Sequence, residues 1–157
     1  MGWQLAAYLA LTRSLRLFAP AYLRRRLKEG REDPQRWREK LGVASQARPE
    51  GPLVWLHAVG LGEVMALRGL IDAMGKRDPT ASFLVTSVAR SSGQVIVTNL
   101  PPRTQHQFLP LDVPAHVARF LDHWRPDLSI WSEQDLWPAA VTLTDRRKIP
   151  LALVNAR

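Results

Sequence analysis

No cysteine occurs among the 157 residues. That excludes a disulfide framework, a thiolate nucleophile and a zinc site built on Cys, although it does not decide the compartment. No apolar run reaches the roughly 18 residues of a confident membrane span, which excludes a polytopic membrane protein. Acids are scarce: 14 Asp and Glu stand against 22 Lys and Arg, a formal net charge of +8. Internal repeats and low-complexity tracts are missing as well. What remains is a globular composition, 46% apolar and 23% charged, in a length of about one ordinary domain.

The charge is concentrated at one end. Residues 1–42 carry ten Lys and Arg against four acids (Glu29, Glu32, Asp33, Glu39), whereas residues 43–157 carry twelve against ten. The chain therefore divides into a basic arm, 1–42, and a nearly neutral body, 43–157. A nucleic-acid reader carries its charge on the face that meets the ligand. Here the bases follow an apolar stretch that a polyanion would leave unused, so no nucleic-acid partner is expected. Residues 3–23 place Leu5, Tyr8, Leu9, Leu11, Leu15 and Phe18 on a broad apolar helical face, with Arg13 and Arg16 sharing a side. Pro20 is expected to end or kink this helix. Arg24, Arg25, Arg26 and Lys28 follow directly. An apolar helix followed by a polybasic cluster suits an anionic membrane surface, so residues 1–28 are expected to associate with one. A secretory signal would place its bases before the apolar core. The competing reading packs the helix on a partner protein or on a missing remainder of the chain.

From residue 53 the periodicity alternates. Leu53 to His57, Ser82 to Thr86, His106 to Leu109, Asp127 to Trp131 and Leu151 to Val154 read as strands. Helical spacing falls between them over 61–76, about 91–99, from an N-cap at Asp112 through Trp124, and over 138–148. Repeated β-α units with short links predict an α/β fold, a doubly wound and mostly parallel sheet with helices on both faces. The chain ends just past a strand at Arg157, which reads either as a fragment or as a chain that has lost a second domain.

In such a sheet, ligands bind at the carboxyl ends of the strands. Glu63 is the sharpest candidate there, since it follows Gly60-Leu61-Gly62 in a strand-to-helix turn whose glycines permit close approach of a ligand. Either it is a catalytic carboxylate or it is an acid favoured in a first turn by the helix dipole. The turn is neither a dinucleotide fingerprint nor a P-loop, because GLGE lacks the later glycine and the Gly-Lys-Ser/Thr ending. Arg90, Ser91, Ser92 and Gly93 offer an anion site at a helix N-terminus, or an ordinary N-cap pair. His57, at a strand end, is a base or an orienting, hydrogen-bonded group. Glu133 and Asp135 could hold hydroxyls, and Asn155 closes the set. No His stands near the two acids in sequence, so no metal site is expected.

These residues also carry a resemblance. Leu56-His57-Ala58-Val59-Gly60-Leu61-Gly62-Glu63-Val64 resembles the signature of the Kdo transferases, enzymes that add 3-deoxy-D-manno-octulosonic acid to the lipid A precursor. The likeness continues through Arg36–Gly42, Val85-Thr86-Ser87, Ser92-Gly93, Leu109–Asp112, Glu133–Pro138 and Val154–Arg157. It implies a membrane-associated inverting glycosyltransferase of the GT-B type, of which this chain is the Rossmann-like, acceptor-side N-terminal half, without the C-terminal donor-binding domain. It further implies CMP-Kdo as donor with no cofactor, a phosphorylated lipid A precursor as acceptor, and the cytoplasmic face of the inner membrane as location. The residue matching Glu63 is the family's general base. Two positions depart from the pattern: Gly60 stands where the family usually has Ser, and Gln134-Asp135 where it has Thr-Glu. A noncatalytic lipid-binding module, another GT-B glycosyltransferase and a sugar epimerase are the alternative functions.

Overall fold

The structure is a computed structural model and describes residues 2–59, 61–132 and 136–154. Five strands, β1 (Leu53–His57), β2 (Ser82–Ser87), β3 (Thr104–Phe108), β4 (Leu128–Ser132) and β5 (Leu151–Val154), form one parallel sheet in the order β3-β2-β1-β4-β5. Each neighbour pair runs parallel, with Val54 opposite both Phe83 and Leu128. The order reverses direction between β1 and β4, which makes their carboxyl ends the topological switch point of the sheet.

The period-two alternation of the buried strands sends side chains to two cores. Leu53, Trp55, Leu84 and Trp131 pack on one face with Val117, Phe120, Leu121 and Trp124. Val54, Leu56, Phe83, Val85 and Ile130 pack on the other with Leu67, Ile71 and Ile96. The first face is covered by helices over Pro114–Trp124 and Pro138–Arg146. The second is covered by helices over Leu61–Arg77 and Arg90–Thr98. Helices thus cover both faces, as the alternation predicts, and the strand bounds shift from the expected ones by one or two residues.

The arm departs from its expectation. It forms two helices, α1 (Trp3–Ser14) and α2 (Ala19–Lys28); the four body helices just described are α3 to α6 in chain order. The break lies at 15–18, ahead of Pro20, and Pro20 sits in the first turn of α2. A first-turn proline costs nothing because its missing N–H would have had no helical partner. The apolar residues also face two ways. Leu9 is buried against the body with Leu5 and Tyr8 beside it, whereas Leu11, Leu17 and Phe18 are exposed. Thr12 joins the buried side by donating its hydroxyl to the Tyr8 carbonyl at 2.9 Å.

Asp112 is the second correction. The helix that follows it begins at Pro114 with Val113 as N-cap and no side-chain capping bond. The Asp112 carboxylate instead accepts the N–H groups of Ala139 and Ala140, both at 2.9 Å, at the start of α6. Pro138 opens α6 without an N–H, so these are donors its first turn leaves orphaned. Asp112 also accepts the Tyr8 hydroxyl at 2.8 Å. Burial and this carboxylate push the Tyr8 phenol up to about 12. One side chain therefore fastens α1, the β3–α5 loop and α6 together.

A short 3-10 helix, Trp37–Leu41, joins arm to body and ends at Gly42 with φ 77°. A Cβ at Gly42 would lie 2.1 Å from the His116 carbonyl oxygen, so only glycine fits that junction. Glu32, buried just before it, takes Arg26 at 2.5 Å and Lys40 at 2.6 Å.

Candidate active site at the carboxyl edge of the sheet

β1 delivers His57 and then the turn that opens α3, and this turn borders the switch point. Glu63 occupies the third position of α3, is half-buried, and its Oε2 accepts the Val59 N–H at 2.9 Å. The side chain thus reaches back across the turn to a backbone donor two residues ahead of the helix. The same bond satisfies the turn and aims the carboxylate. A Cβ at Gly62 would meet nothing within 4 Å, so packing does not demand this glycine, and the backbone beside Glu63 is left open to a ligand. Gly60, Glu133, Asp135 and Asn155 lie outside the described residues. Among the described residues no group of three or more His, Cys, Asp or Glu could hold a metal ion.

His57 is fully buried. Its Nδ1 lies 3.2 Å from the Thr86 carbonyl and 2.9 Å from the Thr86 hydroxyl. A carbonyl only accepts, so Nδ1 carries the hydrogen and Nε2 keeps its lone pair. That Nε2 is buried without a hydrogen-bond partner among the described residues, and the ring leans on Trp131 at 4.8 Å. Burial holds the imidazole down to about 4, against a smaller opposing effect of the Thr86 hydrogen bond. His57 is thus a neutral group built into the strand end.

The 90–93 segment divides. α4 starts at Arg90 with Ala89 as N-cap and no side-chain capping bond, so Ser91 and Ser92 lie inside its first turn instead of forming the cap. Ser91 is exposed and Ser92 buried. The Arg90 Nη1 donates to the Gly30 carbonyl at 2.7 Å and so ties α4 to the arm. Gly93 has a packing role: a Cβ there would lie 2.6 Å from the Phe108 ring and 3.1 Å from His106.

Sequence reasoning missed a buried polar chain beside these residues. Glu39, 1% exposed, accepts the Nε–H and Nη2–H of Arg36, both at 2.9 Å, the Ser45 hydroxyl, and the Phe108 N–H at 2.8 Å. Arg36 also donates to the His106 carbonyl at 2.7 Å and reaches its Nδ1 at 3.0 Å. A guanidinium has no acceptor, so His106 Nδ1 offers its lone pair and Nε2–H donates to the Ser87 Oγ at 2.9 Å. The chain runs from the arm junction to the carboxyl end of β2. The readable signal was Arg36-x-x-Glu39, a helical-spaced ion pair, together with a polar TQHQF strand that only partners could bury.

Burial, helped by Arg36, also holds His106 down to about 3. Burial, with Arg119 and Arg16 near, holds His116 down to about 4. All three imidazoles are neutral when folded and would protonate near their ordinary value of about 6.5 when unfolded. Between roughly pH 4 and 6.5 the unfolded chain binds more protons, so stability is complete above pH 6.5 and is lost as pH falls toward the folded values. The urea midpoint at pH 5 is expected to lie clearly below that at pH 7.5. A flat midpoint across that interval would contradict the buried, neutral assignment.

The family model described as 3-deoxy-D-manno-octulosonic-acid transferase (kdotransferase) matches residues 35–157. A probable 3-deoxy-D-manno-octulosonic acid transferase, mitochondrial, of Arabidopsis thaliana is 39% identical over 150 residues, covering 96% of this chain and 34% of that protein. The 3-deoxy-D-manno-octulosonic acid transferase of Rickettsia bellii is 38% identical over 132 residues, 84% of this chain and 31% of its own length. That of Haemophilus influenzae is 31% identical over 116 residues, 74% and 27%. The chain spans about a third of the length of the curated relatives it matches.

Proposed function

We propose, on the premise that this chain belongs to the 3-deoxy-D-manno-octulosonic acid transferase family, that it is the acceptor-side part of an enzyme that moves Kdo from CMP-Kdo to a phosphorylated lipid A precursor. The observation that carries the reading is the Glu63 carboxylate, aimed by the Val59 N–H in an open, glycine-bearing turn beside the switch point. A sugar hydroxyl is a weak nucleophile. As its oxygen bonds to the anomeric carbon of Kdo, its proton passes to Glu63. The bond from that carbon to the CMP phosphate breaks, and CMP leaves with the electron pair. Attack opposite the leaving group inverts the anomeric centre. The remaining part of such an enzyme would hold the nucleotide.

The test is direct. The whole protein that contains this chain is incubated with CMP-Kdo and the tetra-acylated, bisphosphorylated precursor, and the lipid product is weighed by mass spectrometry. Addition of Kdo supports the reading, and an unchanged lipid with intact, folded enzyme refutes it.

The arm supports a membrane location on the cytoplasmic face of the inner membrane. Between residues 13 and 33 it carries seven bases against three acids; exposed Leu17 and Phe18 lie in the same stretch and exposed Leu11 just before it. Among the described residues no helix is long and apolar enough to cross a membrane, so the arm is read as lying on the surface. Because α1 packs on the body, removing it would uncover core; substitution is the cleaner probe. Changing Arg24, Arg25 and Lys28 to Gln is expected to weaken binding to anionic vesicles by roughly 100-fold, at about 1 kcal/mol per base. Raising the salt should shrink the difference between variant and parent. Unaltered vesicle affinity of the triple variant would exclude the arm as the contact.

A further inference from the structure

An apolar cavity between the arm and the body has no role in the chemistry above. It measures about 420 Å³, within the range of small-molecule sites. Leu15, Phe18 and Tyr22 of the arm form its outer wall, and Leu111, Val113 and Trp137 its floor. The floor residues belong to the β3–α5 and β4–α6 loops, both at the carboxyl edge of the sheet, and the second of these borders the switch point. Several wall residues remain exposed, with Leu15 at 45% and Phe18 at 67%, so the cavity continues outward into the apolar side of the arm. Trp137, one of the floor residues, buries its Nε1–H without a hydrogen-bond partner among the described residues. A buried indole N–H ordinarily finds an acceptor.

We infer that this cavity is a binding site for one acyl chain of the phosphorylated lipid acceptor, taken up between α1, α2 and the two loops. The inference rests on the acceptor-side reading and deepens it. Two features favour this occupant over an apolar peptide. The walls offer hydrocarbon contact and no backbone edge for a strand to pair with. The helix that lines the cavity through Ala19 and Tyr22 runs on into Arg24, Arg25, Arg26 and Lys28, with the Arg26 guanidinium 5.7 Å from the Tyr22 ring, cations suited to the phosphates of the same lipid. An acyl chain seated there would bring its head group to the edge that carries Glu63.

The experiment uses the present chain and phosphatidylcholine vesicles doped with a bisphosphorylated, acylated glucosamine disaccharide bearing a diazirine near an acyl terminus. After irradiation, adducts are located by mass spectrometry. Labelling within 15–22 and 111–113 is expected. Leu15→Trp and Ala19→Phe, which fill the cavity, should each lower that yield by about tenfold or more while vesicle binding stays within about twofold. Leu15 is half out in solvent, so its variant keeps the test valid if Ala19→Phe fails to fold. Adducts confined to Trp3, Leu11 and Leu17 would overturn the site. So would equal labelling of the cavity by a diazirine phosphatidylglycerol at the same dose, which would make it a general lipid groove. Either outcome with vesicle binding retained leaves the membrane reading intact, whereas failure of the doped vesicles to bind at all overturns both.

Discussion

Glu63→Gln in the whole enzyme is expected to lower turnover by about 10²- to 10⁴-fold, the usual worth of a general base, with acceptor binding largely kept. The substitution preserves the size of the side chain and retains an oxygen that can accept the Val59 N–H, so the turn should survive. What it removes is the capacity to take a proton. Thermal stability should fall by no more than about 1 kcal/mol, the worth of an acid in a first helical turn. The comparison that gives the result meaning is His57→Gln. His57 is buried, neutral and bonded to Thr86, so its loss should show mainly as a lower melting temperature. Equal losses of turnover in both variants, at equal stability, would leave the proton acceptor unassigned. Near-parental turnover in Glu63→Gln would return the carboxylate to a purely capping role.

The largest stability effect is expected at Glu39. Removing one member of a buried, hydrogen-bonded ion pair strands the other, and such losses run to about 3–5 kcal/mol. In Glu39→Ala the Arg36 guanidinium, the Ser45 hydroxyl and the Phe108 N–H all lose their acceptor together. For a chain of this size the melting point should drop by roughly 6–20 °C. Glu39→Gln keeps an acceptor oxygen and most of the volume, and should fall in between. Arg36 and Glu39 together fix the edge at β3, so an exposed carboxylate such as Glu50 serves as the control that should change little. A Glu39→Ala melting curve that overlays the parent would mean that the pair is worth no more than an exposed one.

Much of the fold could be read because parallel strands buried on both faces are nearly continuous apolar runs. Leu53–His57 and Ser82–Ser87 announce themselves in this way, and Leu151–Val154 is just as apolar although only partly covered. β3 does not, since its Thr-Gln-His-Gln face is made burial-worthy by partners distant in sequence: Arg36 and Ser87 for His106, and the Trp124 Nε1–H for Gln107 at 2.7 Å. Asp112 shows the same limit. Its spacing before Pro114 points to a local cap, and only the folded chain brings the α6 donors and the Tyr8 hydroxyl within its reach. In the site, the Glu63 turn was legible because glycines and an acid at a strand end are a local pattern. The role of Gly93 was not, because its cause is the Phe108 ring on another strand.

Under the proposed membrane contact, the junction at Gly42 governs how the body stands on a bilayer. A backbone pressed against the His116 carbonyl, with Tyr8 bonded to Asp112 and Arg90 to Gly30, ties the arm to the body at three points. A molecule held in this way would slide and spin in the plane of the lipids with its body fixed relative to the arm. The height and tilt of the strand ends above the head groups are then constants of the fold, settled on landing. From that moment an encounter with a lipid is a two-dimensional search in which orientation no longer has to be found.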